Sequence, residues 1–130
     1  MAIGKWLAGV AGGAGPREAE AVLGPFRKGH SLTRGQGWRS DNGRVELRLD
    51  DTGKLVLRLD GKVAWTPVAA DGATKLQMNA EGQLVLSRGA ERLWGVGLAK
   101  CPRAELRVQD DGNAVLYYGN SVLWASHTKL

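Results

Sequence analysis

Three glycines and three tryptophans recur along this chain with a period of 29 to 30 residues. The glycines are Gly53, Gly82 and Gly112, and the tryptophans are Trp65, Trp94 and Trp124. Each glycine is followed twelve residues later by its tryptophan. A fixed period of this length is typical of folds that stack copies of one supersecondary unit. The sequence therefore predicts three copies of one unit, at about residues 44–66, 73–95 and 103–125.

Each copy reads as two short strands joined by a tight turn and followed by a third strand. In the first copy, Leu47 and Leu49 alternate with charged neighbours, as a half-buried strand requires. Gly53 then stands where a hairpin turn needs a positive φ. Residues 55–57 form the second strand, and a further turn leads to a strand that ends at Trp65. Each unit is therefore expected to be a small antiparallel sheet.

A sheet of three or four short strands cannot bury its apolar face alone. We therefore expect the three sheets to pack around a shared axis, with the periodic tryptophans meeting in a central aromatic cluster. Trp38 lies outside the period and is expected to pack against an end of the core.

The charge distribution argues against a dedicated nucleic-acid reader. The 130-residue chain has a net charge of +5, of which residues 1–40 contribute +4 from six basic and two acidic residues. The remaining ninety residues hold twelve basic and eleven acidic side chains and are nearly neutral. No dense basic run is interleaved with aromatic residues, as single-strand binding would need.

Cysteine and histidine are too few for the usual staples or catalytic sets. Cys101 is the only cysteine, so no disulfide can form within the chain, and with only His30 and His127 beside it a four-ligand zinc site cannot be assembled. A Cys–His catalytic pair is not indicated by their positions. We expect a non-enzymatic protein without a cofactor, in which Cys101 is a small packing residue.

Residues 1–29 are interpreted as an N-terminal extension. Residues 16–23 begin with proline and carry acidic residues in the first turn, which favours a short helix. Only one basic residue precedes the apolar stretch around Trp6 and Leu7, and glycines dilute that stretch, so it makes a poor signal peptide. We therefore expect a cytoplasmic protein, or one exported without a clear cleaved signal.

The third copy carries the most specific pattern in the chain. Residues 109–117, read as Gln-Asp-Asp-Gly-Asn-Ala-Val-Leu-Tyr, resemble the Gln-x-Asp-x-Asn-x-Val-x-Tyr mannose-binding motif of the bulb-type lectin family. The resemblance extends over about residues 30–130. It implies an all-β, β-prism II domain over that range, with three antiparallel sheets in pseudo-threefold symmetry.

The resemblance also implies a role for each matched residue in mannose binding. Asp111 and Asn113 would hold the axial 2-hydroxyl, Gln109 the 3-hydroxyl and Tyr117 the 4-hydroxyl, while Val115 would touch the sugar ring. Strand alternation places Asn113, Val115 and Tyr117 on one face, with Gln109 and Asp111 alongside. Asp111 also suits a turn, and valine also suits a strand, so these two are the weaker indicators.

The first two copies depart from the motif. The first has Asp50, Thr52, Lys54, Val56 and Arg58 at these positions, and the second has Asn79, Glu81, Gln83, Val85 and Ser87. Lys54 and Arg58 offer no acceptor atoms, so this face would favour an anion or a protein over mannose. We therefore expect one good site, one altered polar site and one lost site.

Two further readings concern the partners of the chain. A degenerate lectin-fold module could instead bind a protein partner or an anionic membrane surface through the N-terminal segment. A single shallow sugar site is weak, so useful avidity needs several copies. Exchange of a C-terminal strand over residues 121–128 between two chains would supply a homodimer.

Overall fold

The structure is a computed structural model that describes residues 4–7, 22–23, 25–67 and 71–130. Among these residues, the strands before the first repeat are β1 (Gly4–Leu7), β2 (Val22–Leu23), β3 (Phe26–Arg27), β4 (Ser31–Thr33) and β5 (Gln36–Ser40). The repeats supply β6 (Val45–Leu49), β7 (Leu55–Leu59), β8 (Lys62–Trp65), β9 (Lys75–Met78), β10 (Leu84–Arg88), β11 (Glu91–Val96), β12 (Glu105–Val108), β13 (Ala114–Tyr118) and β14 (Ser121–Ala125).

The strands form three antiparallel sheets. Their orders are β2-β1-β5-β6-β7-β8, β11-β10-β9-β4 and β14-β13-β12-β3. Each repeat supplies three consecutive strands of one sheet, and the preceding segment supplies the fourth, through β5, β4 and β3 respectively. The all-β, three-sheet architecture expected from the period is confirmed. No helix among the described residues could cross a membrane.

Alternation directs one face of every sheet toward a common core. In β6, Val45, Leu47 and Leu49 are buried, and the residues between them are half-buried. The turn glycines Gly53 and Gly82 have φ values of 86° and 85°, as the hairpin interpretation requires. The chain segment that follows the second repeat packs closely against the turn of that repeat, so a Cβ on Gly82 would collide with the carbonyl of Cys101. The turns therefore tie each sheet to the next.

The three periodic tryptophans meet, as predicted. The ring centroids of Trp65 and Trp94 are 5.4 Å apart, those of Trp65 and Trp124 5.2 Å, and those of Trp94 and Trp124 5.6 Å. All three pairs are edge-to-face, the arrangement that the ring quadrupole favours. The rings are half-buried and pack against the main core, to which the leucines of the three sheets contribute.

Trp38 and Cys101 both belong to the core. The Trp38 ring is fully buried and lies edge-on to Phe26 at 5.0 Å, with His30 at 5.4 Å. Burial, and then the charge of Arg27, lower the pKa of His30. Cys101 is buried and free, consistent with a packing role.

The N-terminal segment differs from expectation where it is described. The helix predicted over residues 16–23 is wrong at its end, because Val22–Leu23 is strand β2, and residues 16–21 lie outside the described residues. Trp6 and Leu7 belong to β1, whose backbone pairs with β5. Hydrogen bonds offered by the edge of β5 account for the extended conformation of β1.

Candidate functional site

The motif residues lie where β12 turns into β13, on the outer face of the third sheet. Leu106 and Leu116 are directly opposed and fully buried, so the alternate positions face outward. Tyr117 is accordingly half-buried on the outer face. Val115 also faces outward but is only 4% exposed. Val115 therefore offers a ligand only a small apolar surface.

A closed hairpin turn brings the polar motif positions together. The Gln109 N–H donates to the carbonyl of Asn113 at 2.9 Å, and the Gly112 N–H donates to the carbonyl of Gln109 at 3.0 Å. Gly112 has a φ of 102°, which a residue with a side chain rarely adopts. The backbone beneath Gln109, Asp111 and Asn113 is therefore well defined.

Asp111 and Asn113 are each held through one oxygen. Asp111 Oδ1 accepts the backbone N–H of Asn113 at 3.0 Å. Asn113 Oδ1 accepts both the Ser126 hydroxyl and the backbone N–H of His127 at 3.0 Å. Within the described part of the chain, Asp111 Oδ2 and Asn113 Nδ2 keep no partner. One free acceptor thus stands beside one free donor.

Gln109 and Tyr117 form a second fixed pair. The Gln109 Nε2 donates to the Tyr117 hydroxyl oxygen at 3.0 Å. This bond leaves Gln109 Oε1 as an acceptor and the Tyr117 hydroxyl hydrogen as a donor. The Arg107 guanidinium lies 5.3 Å from the centre of the Tyr117 ring, within the range of a cation–π contact.

Three free polar atoms and the Tyr117 hydroxyl hydrogen together provide two acceptors and two donors. Asp111 and Gln109 supply acceptors, and Asn113 and Tyr117 supply donors. A sugar hydroxyl both donates and accepts, so adjacent hydroxyls are recognised by such mixed sets. Among the described residues, no cluster of three or more His, Cys, Asp or Glu side chains is placed to hold a metal ion.

The equivalent position in the first sheet is occupied by a self-contained turn. Asp50 Oδ1 accepts the backbone N–H groups of Thr52 and Lys54, both at 2.9 Å, and the Thr52 hydroxyl at 2.7 Å. Burial raises the pKa of Asp50, but these hydrogen bonds and the charge of Arg58 outweigh it and leave the pKa lowered. The Asp50 Oδ1 atom is therefore committed to the fold.

The second sheet repeats this arrangement with an amide. Asn79 Oδ1 accepts the backbone N–H groups of Glu81 and Gln83 at 3.0 and 2.9 Å. Asn79 Nδ2 donates to Gln83 Oε1 at 3.1 Å, and Glu81 Oε1 accepts the backbone N–H of Lys100 at 3.2 Å. The polar side chains at the motif positions of this copy are thus bonded to one another and to nearby backbone groups.

Three contributors to the site were not identified from the sequence. Ser126 and His127 orient Asn113, and Arg107 covers the Tyr117 ring. The period itself was the available signal for Arg107, because it lies two residues before Gln109 in the strand that faces outward at alternate positions. Ser126 and His127 contact Asn113 only once β14 has folded back beside β13.

Solved structures of several lectins share this architecture. A Marasmius oreades lectin is 28% identical, covers 80% of this chain and 90% of its own, and has a TM-score of 0.74. A monomeric monocot mannose-binding lectin from Gastrodia elata is 26% identical, with coverages of 82% and 98% and a TM-score of 0.68.

The snowdrop (Galanthus nivalis) mannose-specific agglutinin, solved with methyl-α-D-mannoside, is 21% identical, with coverages of 82% and 97% and a TM-score of 0.61. No protein-family model and no curated protein matches the sequence. The three-sheet architecture and these likenesses agree on one conclusion: the chain has the β-prism II fold of the bulb-type mannose-binding lectins.

Proposed function

We propose that this protein is a carbohydrate-binding lectin that recognises mannose or a mannose-like sugar through a single site in the third repeat. The site comprises Gln109, Asp111, Asn113, Val115 and Tyr117. Asp111 and Asn113 bind the 2-hydroxyl, Gln109 the 3-hydroxyl and Tyr117 the 4-hydroxyl, with the sugar ring over Val115. The Gastrodia elata protein, which is 26% identical, is a mannose-binding lectin, and this likeness supports the choice of sugar.

The observation that carries the proposal is that the polar side chains of the site are held by the protein and still keep free hydrogen-bonding groups. Gln109, Asp111 and Asn113 each have one polar atom bonded to the protein and a second with no described partner, and the Tyr117 oxygen accepts from Gln109 while its hydroxyl hydrogen stays available. Tied side chains lose less rotational entropy when a ligand binds, which is the advantage of a preorganised site. Such a site suits a ligand with several neighbouring hydroxyls.

The affinity of one such site should be low. Water competes for every hydroxyl, so each neutral hydrogen bond contributes only about 0.5–1.5 kcal/mol. A Kd in the millimolar range, about 4 kcal/mol of binding free energy, is expected. Strand exchange to form a homodimer stays a prediction, since β14 pairs here with β13 of its own chain.

The proposal is tested by titrating methyl α-D-mannoside into the ¹⁵N-labelled protein and following backbone amide shifts by NMR. Residues 109–117 should shift in a saturable manner. Asp111→Asn keeps Oδ1 for the turn but removes the charge. Because hydrogen bonds to a charged group contribute about 1.5–3 kcal/mol, affinity should fall about tenfold to a hundredfold.

Asn113→Asp is a second variant that spares the fold. It retains an oxygen for Ser126 and His127 and replaces the free Nδ2 donor by an acceptor, so binding should be lost while the amide spectrum stays dispersed. Lys54→Ala is the matched control, since Lys54 occupies the same register in the first sheet and should not affect binding. An absence of mannoside-dependent shifts at 109–117 in the wild type would overturn the proposal and favour a degenerate module.

A further inference from the structure

An open groove lies at the third sheet, on the side of β12 that faces away from the sugar-binding turn. It has a volume of about 410 Å³ and is lined by Arg27, Lys28, Pro102, Arg103, Ala104 and Glu105. An adjoining cavity of about 470 Å³ shares Arg103 and Glu105 and extends to Arg107. Volumes of this size fall within the range of about 300–1,000 Å³ that small-molecule sites occupy. We call the two together the basic groove.

The charge in the basic groove is unbalanced. Glu105 is its one carboxylate, and it pairs through Oε2 with Arg27 and through Oε1 with Arg107, both at 2.9 Å. Lys28 and Arg103 form no ion pair with any described residue. Four cations against one anion leave a local charge of +3, which attracts an anionic group.

Lys28 and Arg103 lie on two tight turns of fixed backbone, and their side chains are exposed. Lys28 lies in a turn where the His30 N–H donates to the Arg27 carbonyl and the Arg27 N–H donates to His30 Nδ1, both at 2.9 Å. Arg103 lies in a turn closed by the Ala104 N–H on the Cys101 carbonyl at 2.9 Å. Both backbones are fixed, so binding an anion orders only the two exposed side chains and not the chain segments that carry them.

The basic groove adjoins the sugar site directly. Glu105 is the cross-strand neighbour of Tyr117 on one side and of Arg27 on the other. Neighbouring strands are about 4.8 Å apart, so the backbones of Tyr117 and Arg27 are separated by about 10 Å. A substituent on the bound sugar and the long side chain of a basic residue can together cover this distance.

We propose that the basic groove binds an acidic substituent of the same glycan, which makes acidic mannose-containing glycans the preferred ligands. The inference rests on the proposed function, because the sugar must occupy Gln109 to Tyr117 for its substituent to reach the groove. Tyr117 contacts the 4-hydroxyl in that assignment, so a group on the neighbouring carbon-6 arm lies nearest the cations. Phosphate, sulfate and carboxylate share the required chemistry.

The test compares methyl α-D-mannoside, mannose 6-phosphate, mannose 6-sulfate and inorganic phosphate in NMR titrations of the wild type. Exposed ion pairs each contribute modestly, so two or three should make mannose 6-phosphate bind about tenfold more tightly than the neutral mannoside. In 1 M salt the Debye length falls to about 3 Å, and the advantage should disappear. The titration with mannose 6-sulfate shows whether a monoanion is sufficient or a phosphate is required. The titration with inorganic phosphate measures anion binding without the sugar.

The double variant Lys28→Gln/Arg103→Gln should lose the phosphate advantage and bind the neutral mannoside as the wild type does. Lys54→Gln/Arg58→Gln removes the same charge from the first sheet and should keep the advantage. If the mannoside binds but its 6-phosphate and 6-sulfate bind no more tightly, the groove proposal fails and the proposed function stands. If neither the neutral nor the acidic sugars bind, both fail.

Two further results would overturn the groove proposal. Loss of the phosphate advantage in Lys54→Gln/Arg58→Gln would move the anion to the first sheet. Binding of phosphatidylserine vesicles that depends on Lys28 and Arg103, without a gain for the acidic sugars, would assign the groove to a membrane surface.

Discussion

The outer faces of the first and third sheets share one backbone and differ in how they close the same turn. In both, a backbone N–H two residues before the second strand's buried valine must find an acceptor. In the first sheet, Asp50 Oδ1 accepts it from Lys54 at 2.9 Å. In the third sheet, Asp111 Oδ1 accepts it from Asn113 at 3.0 Å. The side chain that caps the turn, here called the turn cap, therefore lies two positions later in the third repeat than in the first.

This difference decides which side chain is free to meet a ligand. Asp50 and Asn79 are short and fold back on their own turns, as these residue types do readily. Gln109 is one methylene longer and reaches across the sheet to Tyr117 instead. The comparison teaches that a binding face can arise on a repeated scaffold by relocating one turn cap, without changing the fold.

Replacing the turn glycine that all three copies share should give the largest effect, a loss of stability. Gly82→Ala forces a Cβ into a left-handed residue and against the carbonyl of Cys101. The left-handed penalty is about 1–2 kcal/mol and overpacking adds about 1–3, so the free energy of unfolding should fall by about 3 kcal/mol or more. Urea unfolding measures it. Gly61→Ala is the control, since its φ is 82° but nothing lies within 4 Å, and an equal loss in both variants would exclude the packing contribution.

Gln109 stands where the other two copies have their turn caps, and replacing it should affect sugar binding and not the stability of the fold. Gln109→Asn shortens the side chain so that it can cap its own turn as Asn79 does, and the bond to Tyr117 is lost. Two hydrogen bonds of about 0.5–1.5 kcal/mol each are removed, so the Kd for methyl α-D-mannoside should rise about tenfold, as NMR titration would measure.

Asn79→Gln is the reciprocal control for that experiment. The Gln83 N–H loses its acceptor, which should cost about 1 kcal/mol of stability while leaving mannoside binding unchanged. Wild-type affinity in Gln109→Asn would show that the relocated cap does not create the site.

The stability of the fold should depend on pH through the turn cap of the first sheet, Asp50, and not through that of the second sheet, Asn79, which does not titrate. This effect should be smaller than the previous ones. Burial raises the pKa of Asp50, but hydrogen bonds from Thr52 and Lys54 lower it further, so the folded pKa lies below the unfolded value. The carboxylate then stabilises the fold above the unfolded pKa, about 3.9, and this contribution is lost as pH falls through the folded pKa.

Asp50→Asn keeps the Oδ1 acceptor and removes the titration, which reproduces the cap that Asn79 supplies. Urea unfolding at pH 7 and pH 3 should show a smaller acid loss in this variant than in the wild type. Equal acid losses would contradict the role of the Asp50 charge.

The smallest effect is expected from deleting residues 1–24. The twelve strands of the three four-stranded sheets begin at Phe26, and β1 and β2 are additions to the first sheet that the other two lack. Removal should leave the thermal midpoint nearly unchanged, as circular dichroism would show. Loss of cooperative unfolding would mean that the extension completes the core.

Local patterns predicted the repeated part of this fold well. Alternation at Leu47 and Leu49 gave a strand with buried leucines, and Gly53 has the positive φ that its turn position required. The spacing of the tryptophans predicted that their rings meet. These features follow from residues close in sequence or from strict periodicity, and both are visible in a single chain.

Pairings between distant segments were not predictable in the same way. Phe26–Arg27 closes the third sheet beside β12, and Ser31–Thr33 closes the second beside β9. Val22–Leu23 reads locally as the end of a helix but is a strand. Partners far along the chain offered hydrogen bonds that local propensity does not register.

The sequence by itself determined the threefold architecture, the positions of the turns and the identity of the one copy that matches the sugar-binding motif. Only the tertiary structure decided which polar atoms of that motif stay free, because this depends on Ser126 and His127 returning beside Asn113. It also decided that Lys28 and Arg103, 75 residues apart, line one groove. The physical reason is that hydrogen bonds and charges act through space, and long-range strand pairing sets those distances.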